Sequence, residues 1–373
     1  MCEERQVVID QLKACRDGLS LKQATIGIDA YIDKIVRVIL KKTLDGNNVL
    51  FNDIAQFGYH IVSKSGKSCG IELIERFTRP GGNGPLMANA IGALSVRVNC
   101  IGAVGYPQID PLYNEFTKNC SLFTIGNPAY TTALEFEDGK IMLSQKECLD
   151  KIDWLTMKEI LGIDKLREFF YDSDLIGMVN WKGMIHYNNI FKGIIEELMP
   201  EHKANKDQIM FFDLADISAS TTGDICEAIQ LLNEFSKHYK VILGLNENEA
   251  IRLYESLYPE KEVGDWITIA QTIYNHLKID ALVVHTLTNS MVWEEKGTSQ
   301  VASLFVKNPK LSTGGGDNFN AGLCFGQLIG LDFEGALYCA NATSGYYVRN
   351  AQSPSIDNLI ETLENWESLM ETP

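Results

Sequence analysis

Leu311-Ser312-Thr313-Gly314-Gly315-Gly316-Asp317-Asn318-Phe319-Asn320-Ala321-Gly322 places three consecutive glycines ahead of a small, apolar run. With no Cβ atoms at Gly314, Gly315 and Gly316, backbone N–H groups can crowd around an anion. Phe319, Leu323, Phe325, Leu328, Ile329 and Leu331 follow at a spacing that fits a buried helix, for which Asp317 or Asn318 would be the N-cap. The glycines then sit at a helix N-terminus, where free N–H groups and the positive dipole end attract phosphate. A carboxylate at an anion site is electrostatically awkward. It is tolerated when it has a task, and accepting a proton from an attacking hydroxyl is such a task. Taken alone, the segment also reads as a glycine turn with Asp317 as an ordinary cap.

Working outward, 373 residues suffice for one large α/β domain or two medium ones. A formal net charge of −16 argues against a nucleic-acid surface, and any phosphate must be held locally by amides, a metal ion and a few cations. The nine cysteines are scattered and form no C-x-x-C pair, which suits free thiols rather than disulfides or structural zinc. The N-terminus has no apolar leader and no run approaches a membrane span, so the expectation is a cytoplasmic protein without a membrane partner.

Residues 1–23 read as a helical extension ahead of a main domain over 24–373. Ala24–Asp29 is a short apolar strand ending in a carboxylate. Tyr31–Leu40 and Val49–Thr78 lack helical period and read as strands and loops of a β lid over about 31–79. The pieces Tyr130–Glu137 and Lys140–Ser144, joined by Asp138-Gly139, form a hairpin that completes the lid over 129–146. From Val98 the beat becomes apolar strand, loop, helix. Strands are expected at 98–104, 175–180, 209–213, 241–245, 281–285, 291–294 and 301–306, with helices at 156–171, 189–199, 224–239 and 265–277. That alternation implies an α/β fold with a mainly parallel central sheet covered on both faces. Asp29, Asp213, Asn246 and Thr286 each follow an apolar strand and would share the rim where such sheets bind ligands.

Two further constellations carry chemistry. Arg79-Pro80-Gly81-Gly82-Asn83-Gly84-Pro85 precedes a small-residue helix; its glycines would let a polyol approach the backbone and Asn83 offers donor and acceptor. Asn246 and Glu249 lie three apart on a first helical turn, which describes a capping box as well as a pair ordering water around Mg²⁺. Gly66-Lys67-Ser68 imitates a phosphate loop but lacks its first glycine, His285 reads as a buried histidine, and no zinc spacing or nucleophile elbow occurs.

In their order and spacing, the segment from Gly27 to Asp33, Gly81-Gly82-Asn83, Asn246-x-x-Glu249 and Gly314-Gly315-Gly316-Asp317 resemble the ribokinase-like (PfkB) carbohydrate kinases. The resemblance implies a three-layer α/β/α sandwich with a small β-sheet lid. It also implies an ATP- and Mg²⁺-dependent kinase that phosphorylates a hydroxyl of a sugar or related small molecule. By that resemblance Asp317 is the base and Gly314, Gly315 and Gly316 the anion hole. Asp33, Gly81, Gly82 and Asn83 hold the acceptor, with Asp29 competing for the role of Asp33. Asn246, Thr286 and Asn341 serve the nucleotide, and Glu249 the metal. A homodimer through the lid would also fit. The chain departs from the family pattern at Leu311, Thr288 and Leu86, which leaves the acceptor open and motivates the alternatives of a nucleoside kinase or a binding protein without catalysis.

Overall fold

The computed structural model describes residues 2–116 and 119–372. In chain order its strands are β1 (Gln23–Ile28), β2 (Tyr31–Lys42), β3 (Asn48–Leu50), β4 (Glu72–Gly81), β5 (Arg97–Gly102), β6 (Cys120–Thr124), β7 (Ala129–Glu135), β8 (Lys140–Gln145), β9 (Leu175–Met178), β10 (Ile209–Asp213), β11 (Lys240–Asn246), β12 (Ala281–His285), β13 (Asn289–Glu294) and β14 (Gly297–Ala302). One sheet runs β14-β13-β12-β11-β10-β9-β1-β5-β6. It is parallel from β12 to β6, with β13 and β14 added antiparallel at one edge.

Period-two alternation divides each central strand between two cores. Met210 and Phe212, Val241 and Leu243, Leu282 and Val284 face one side. Phe211, Ile242, Ala281 and Val283 face the other. Strands buried on both faces need helices on both, and this is why they read as unbroken apolar runs. The second core is closed by helices Asn83–Ala93, Gly315–Leu328, Phe333–Asn350 and Ile356–Glu364, and by the N-terminal helix Glu3–Cys15 through Val8, Ile9 and Leu12. Helices Asn83–Ala93 and Gly315–Leu328 pack on each other, so both glycine motifs open onto one rim. Chain order reverses between β1 and β9, which makes a crevice beyond their carboxyl ends.

A second sheet, β3-β2-β7-β8 with β4 on the other side of β2, forms the lid. Asp33 lies opposite Arg79 on β4 and Thr131 on β7, and Thr131 lies opposite Ser144, so these four side chains share one face. Val36, Val38, Phe51, Phe57, Leu134 and Phe136 make a separate small core.

Several expectations need correction. Residues 54–62 are a helix within the lid rather than strand or loop, capped by Asp53, which accepts from the Gln56 N–H at 2.6 Å. The expected helix 156–171 is two helices, Trp154–Leu161 and Ile163–Tyr171, parted by Gly162 at φ 81. β6 was not expected, and β14 begins earlier than 301 because it pairs back on β13 through the turn before Gly297.

Candidate active site

Beyond β1 the chain places two carboxylates four residues apart in different roles. Asp29 is fully buried; its oxygens accept from the N–H groups of Asn83 (3.0 Å) and Gly84 (2.7 Å) and from Asn180 Nδ2 (2.7 Å). It therefore satisfies the free amides that open helix Asn83–Ala93. Gly82 has φ 96, and a Cβ there would meet Asp29 Oδ2 at 2.9 Å. Asp33 instead stands on the lid, with its carboxylate directly over Gly81, where any Cβ would collide with it. It lines a cavity of about 430 Å³ together with Tyr31, Thr131, Met142 and Ser144 of the lid. Gly82, Asn83, Leu86, Asn180, Lys182 and Asp216 line it from the large domain, and Thr313 and Asp317 from the glycine loop. Of the two candidate carboxylates, Asp33 faces this space and Asp29 does not.

The helix after the glycine loop begins at Gly315 with Gly314 as N-cap at φ 96, so neither Asp317 nor Asn318 is the cap. The reason is conformational: the chain turns through a left-handed residue, which glycine adopts without strain. Asp317 falls in the first turn. The Gly314 carbonyl accepts from Asn318 through its N–H (3.0 Å) and its Nδ2 (2.9 Å), and the Gly315 N–H turns back to the Ser312 carbonyl at 3.1 Å. Among the described residues, the N–H groups of Gly316 and Asp317 have no protein acceptor. Of the expected anion-hole amides, that of Gly315 is spent internally and that of Gly316 is free; the free N–H of Asp317 lies one residue beyond the expected set.

A second cavity of about 230 Å³ lies on the other side of this turn. Its floor is Ser312, Gly315 and Gly316, and its walls include Leu287, Leu304, Phe305, Val306 and Val348. Polar atoms lie at one end and apolar walls at the other. Thr286 and Asn341 both line it, with the Thr286 hydroxyl and the Asn341 Nδ2 engaged by the protein. The Thr286 hydroxyl accepts from the N–H groups of Thr288 (3.1 Å) and Asn289 (3.0 Å). Asn341 donates to Ser290 Oγ (2.7 Å) and the Leu337 carbonyl (2.9 Å). His285 also lines this cavity; its ring stacks on Phe319 at 4.5 Å, and burial pushes its pKa down to about 4, leaving it neutral.

Asn246 and Glu249 form the capping box: Asn246 Oδ1 accepts the Glu249 N–H and Glu249 Oε2 accepts the Asn246 N–H, both at 2.9 Å. No group of three His, Cys, Asp or Glu side chains among the described residues is arranged to hold a metal. A hard cation would arrive with phosphate and keep several waters, to which Glu249 could present its other oxygen.

Carboxylates crowd beneath the rim. Asp213 accepts from Asn320 Nδ2 and the Ala215 N–H, both at 2.8 Å. Burial, then Asp213, pushes Glu249 up to about 8. Asp29 rises to about 6 from burial. Asp317 is raised well above the usual carboxylate range by burial, then by Asp213, Asp29 and Glu249, while Arg79 opposes them. A carboxyl with a raised folded pKa keeps its proton longer in the folded chain, so unfolding free energy falls as pH climbs through the gap. For Glu249 that window runs from its ordinary 4.5 to about 8. The melting temperature of the ligand-free protein should therefore fall across this window, and Glu249→Gln should flatten the fall. Thermal scans at stepped pH check it; equal slopes in both proteins refute the assignment.

An α/β/α sandwich with a β lid, carrying two cavities that meet at one helix N-terminus, is the architecture of the ribokinase-like carbohydrate kinases. Comparison with known proteins agrees. The family model described as prokaryotic ketohexokinase matches residues 6–366, and the chain belongs to that family. A ketohexokinase from Haloferax volcanii is 26% identical over 364 residues, 93% of each chain. Among solved structures, a probable sugar kinase from Rhizobium etli aligns with a TM-score of 0.63 at 15% identity, over 93% of this chain and 98% of that one. Adenosine kinase from Sinorhizobium meliloti gives 0.62 at 15%, over 92% and 99%. Arabidopsis thaliana ribokinase, complexed with ribose and ATP, gives 0.61 at 14%, over 92% and 98%. No helix among the described residues is long and apolar enough to cross a membrane.

Sequence reasoning missed Thr131 and Ser144, which line the larger cavity from the lid, and Arg79 and Lys140, which reach Thr313 ahead of the glycines. The signal for the first two was the register of the Asp138-Gly139 hairpin, which sets Thr131 opposite Ser144 on one face.

Proposed function

We propose that this chain is an ATP-dependent ketohexokinase that transfers the γ-phosphoryl group to a hydroxyl of a ketohexose. The observation that carries the reading is the pair of free N–H groups at Gly316 and Asp317, set between the two cavities, with the Asp317 carboxylate opening into the larger one. The sugar lies under the lid, its hydroxyls held by Asp33 and by Asn83, where Gly81 and Gly82 let it approach the backbone. One hydroxyl faces Asp317, which takes its proton as the oxygen attacks. The amides of Gly316 and Asp317 hold the charge that spreads over the transferring group. The nucleotide base occupies the apolar cavity, shaped by the Thr286 turn and by Asn341 beneath it. Glu249 and Asn246 would order the waters of a Mg²⁺ bound with the phosphates, which would supply charge neutralisation there. Such a cation would favour the ionised forms of Glu249 and Asp317, which their raised pKa values disfavour in the free protein. The lid excludes water that would otherwise consume ATP. Its exposed Leu73, Phe77, Tyr130 and Leu143 offer apolar surface to a second copy.

The test is turnover of ATP with Mg²⁺ against D-fructose, other ketohexoses, aldohexoses, ribose and adenosine, with products identified by phosphorus NMR. Ketohexoses should be phosphorylated at least about tenfold more efficiently than the rest, as one mismatched hydroxyl in a hydrogen-bonding site costs that much or more. Turnover confined to nucleosides would make it a nucleoside kinase. Binding without turnover across the panel would make it a binding protein.

A further inference from the structure

Arg79 stands two residues before Gly81 on β4 and opposite Asp33 in the lid register. Its guanidinium crosses to the large domain, where Nη2 donates to the Thr313 carbonyl at 3.3 Å and Nη1 to the Tyr347 hydroxyl at 3.4 Å. Tyr347 itself donates to the same carbonyl at 2.9 Å, and a Cβ on Gly314 would come within 2.6 Å of its oxygen. From β8, Lys140 Nζ donates to the Thr313 hydroxyl at 3.4 Å. The residue that leads into the glycine run is thus gripped by the lid at its carbonyl and at its side chain. Arg79 is not among the residues lining the acceptor cavity, so it acts through others. Its Nε is buried with no partner, which separates it from an ordinary solvated arginine.

We propose that Arg79 is a positioning residue of the kinase reaction: by joining β4 to the Thr313 carbonyl and Tyr347, it fixes the lid carboxylate Asp33 and the loop carboxylate Asp317 in one frame around the acceptor. A planar fork suits this task because it can reach two oxygens at once, whereas a lysine offers one point charge. Lid and loop come from distant parts of the chain, and without the fork their relative placement depends on Lys140 alone among these cations. The inference rests on the kinase reading of the same site.

The experiment compares Arg79→Met and Arg79→Lys with the wild type. Amide hydrogen exchange over 72–81 and 311–317, measured with no sugar present, should speed up in Arg79→Met by about tenfold, with 240–246 unchanged as a control for folding. In steady-state assays with ATP and D-fructose, kcat should fall about 10²-fold while KM for ATP stays within about threefold. Arg79→Lys should recover at least about a tenth of wild-type turnover, and it decides the matter alone if Arg79→Met does not fold. Wild-type exchange at 311–317 in Arg79→Met, or a Lys variant as slow as the Met variant, overturns the proposal. Should the wild type phosphorylate no sugar, the kinase reading fails, and the exchange measurement still decides whether the tether exists.

Discussion

Replacing Asp317 by asparagine should lower turnover by about 10²–10⁴-fold while nucleotide binding stays near wild type. The substitution keeps shape and removes only the proton acceptor. No hydrogen bond from a described residue reaches this carboxylate, and it is only 9% exposed, so nothing in the protein would be left unpaired by the change. Its ionised form is disfavoured by burial and then by Asp213, Asp29 and Glu249. The ligand-free variant should therefore melt higher than the wild type near neutral pH and lose that advantage in acid, where the wild-type carboxyl is neutral too. A fall in turnover together with a rise in stability is the signature of a residue kept for function at a cost to the fold. Turnover, calorimetric nucleotide titration and thermal scans measure the three quantities. Wild-type turnover in Asp317→Asn would show that another group takes the proton.

What the sequence made legible, and what it hid, follows from range. Phe211, Ile242 and Val283 announce buried parallel strands because a strand covered on both faces is apolar at every position. The two glycine motifs were legible because runs of residues without Cβ at a helix start let another group come close to the backbone. Hidden were choices that depend on contacts far along the chain. Asp29 and Asp33 are alike in type and neighbourhood; only the fold brings the amides of Asn83 and Gly84 onto one and the cavity onto the other. Asn246-x-x-Glu249 forms its capping box, and the local pattern is the same whether or not Glu249 also serves a cation. The helix Ile54–Val62 was obscured by its β-branched and aromatic residues and Gly58, although Asp53 and Gln56 already spelled its start. There, packing of Phe57 against Phe51 and Phe136 outweighs weak propensity.

Gly316→Ala should abolish most turnover, by about 10²-fold, without lowering stability. The three glycines differ in what a methyl group would meet. At Gly314 it would be strained by φ 96 and would sit 2.6 Å from Tyr347 Oη; at Gly315 it would press on Val348 Cγ1 at 3.1 Å. At Gly316 it meets nothing within 4 Å, and the backbone there is helical. Alanine is the better helix former, by up to about 1 kcal/mol in a helix interior and less in a first turn, so the melting temperature should hold or rise slightly. The protein therefore gives no reason of its own for glycine at 316. The reason must come from what occupies the space beside its free N–H, and the kinase reading places the transferring phosphoryl group there. A methyl group would push that group off the Gly316 and Asp317 amides and away from the line between donor and acceptor oxygens, which loses charge stabilisation and alignment together. Turnover measured beside thermal scans separates the two quantities. An Ala variant that turns over like the wild type would remove the anion hole from this turn and with it the physical basis for the catalytic role of Asp317.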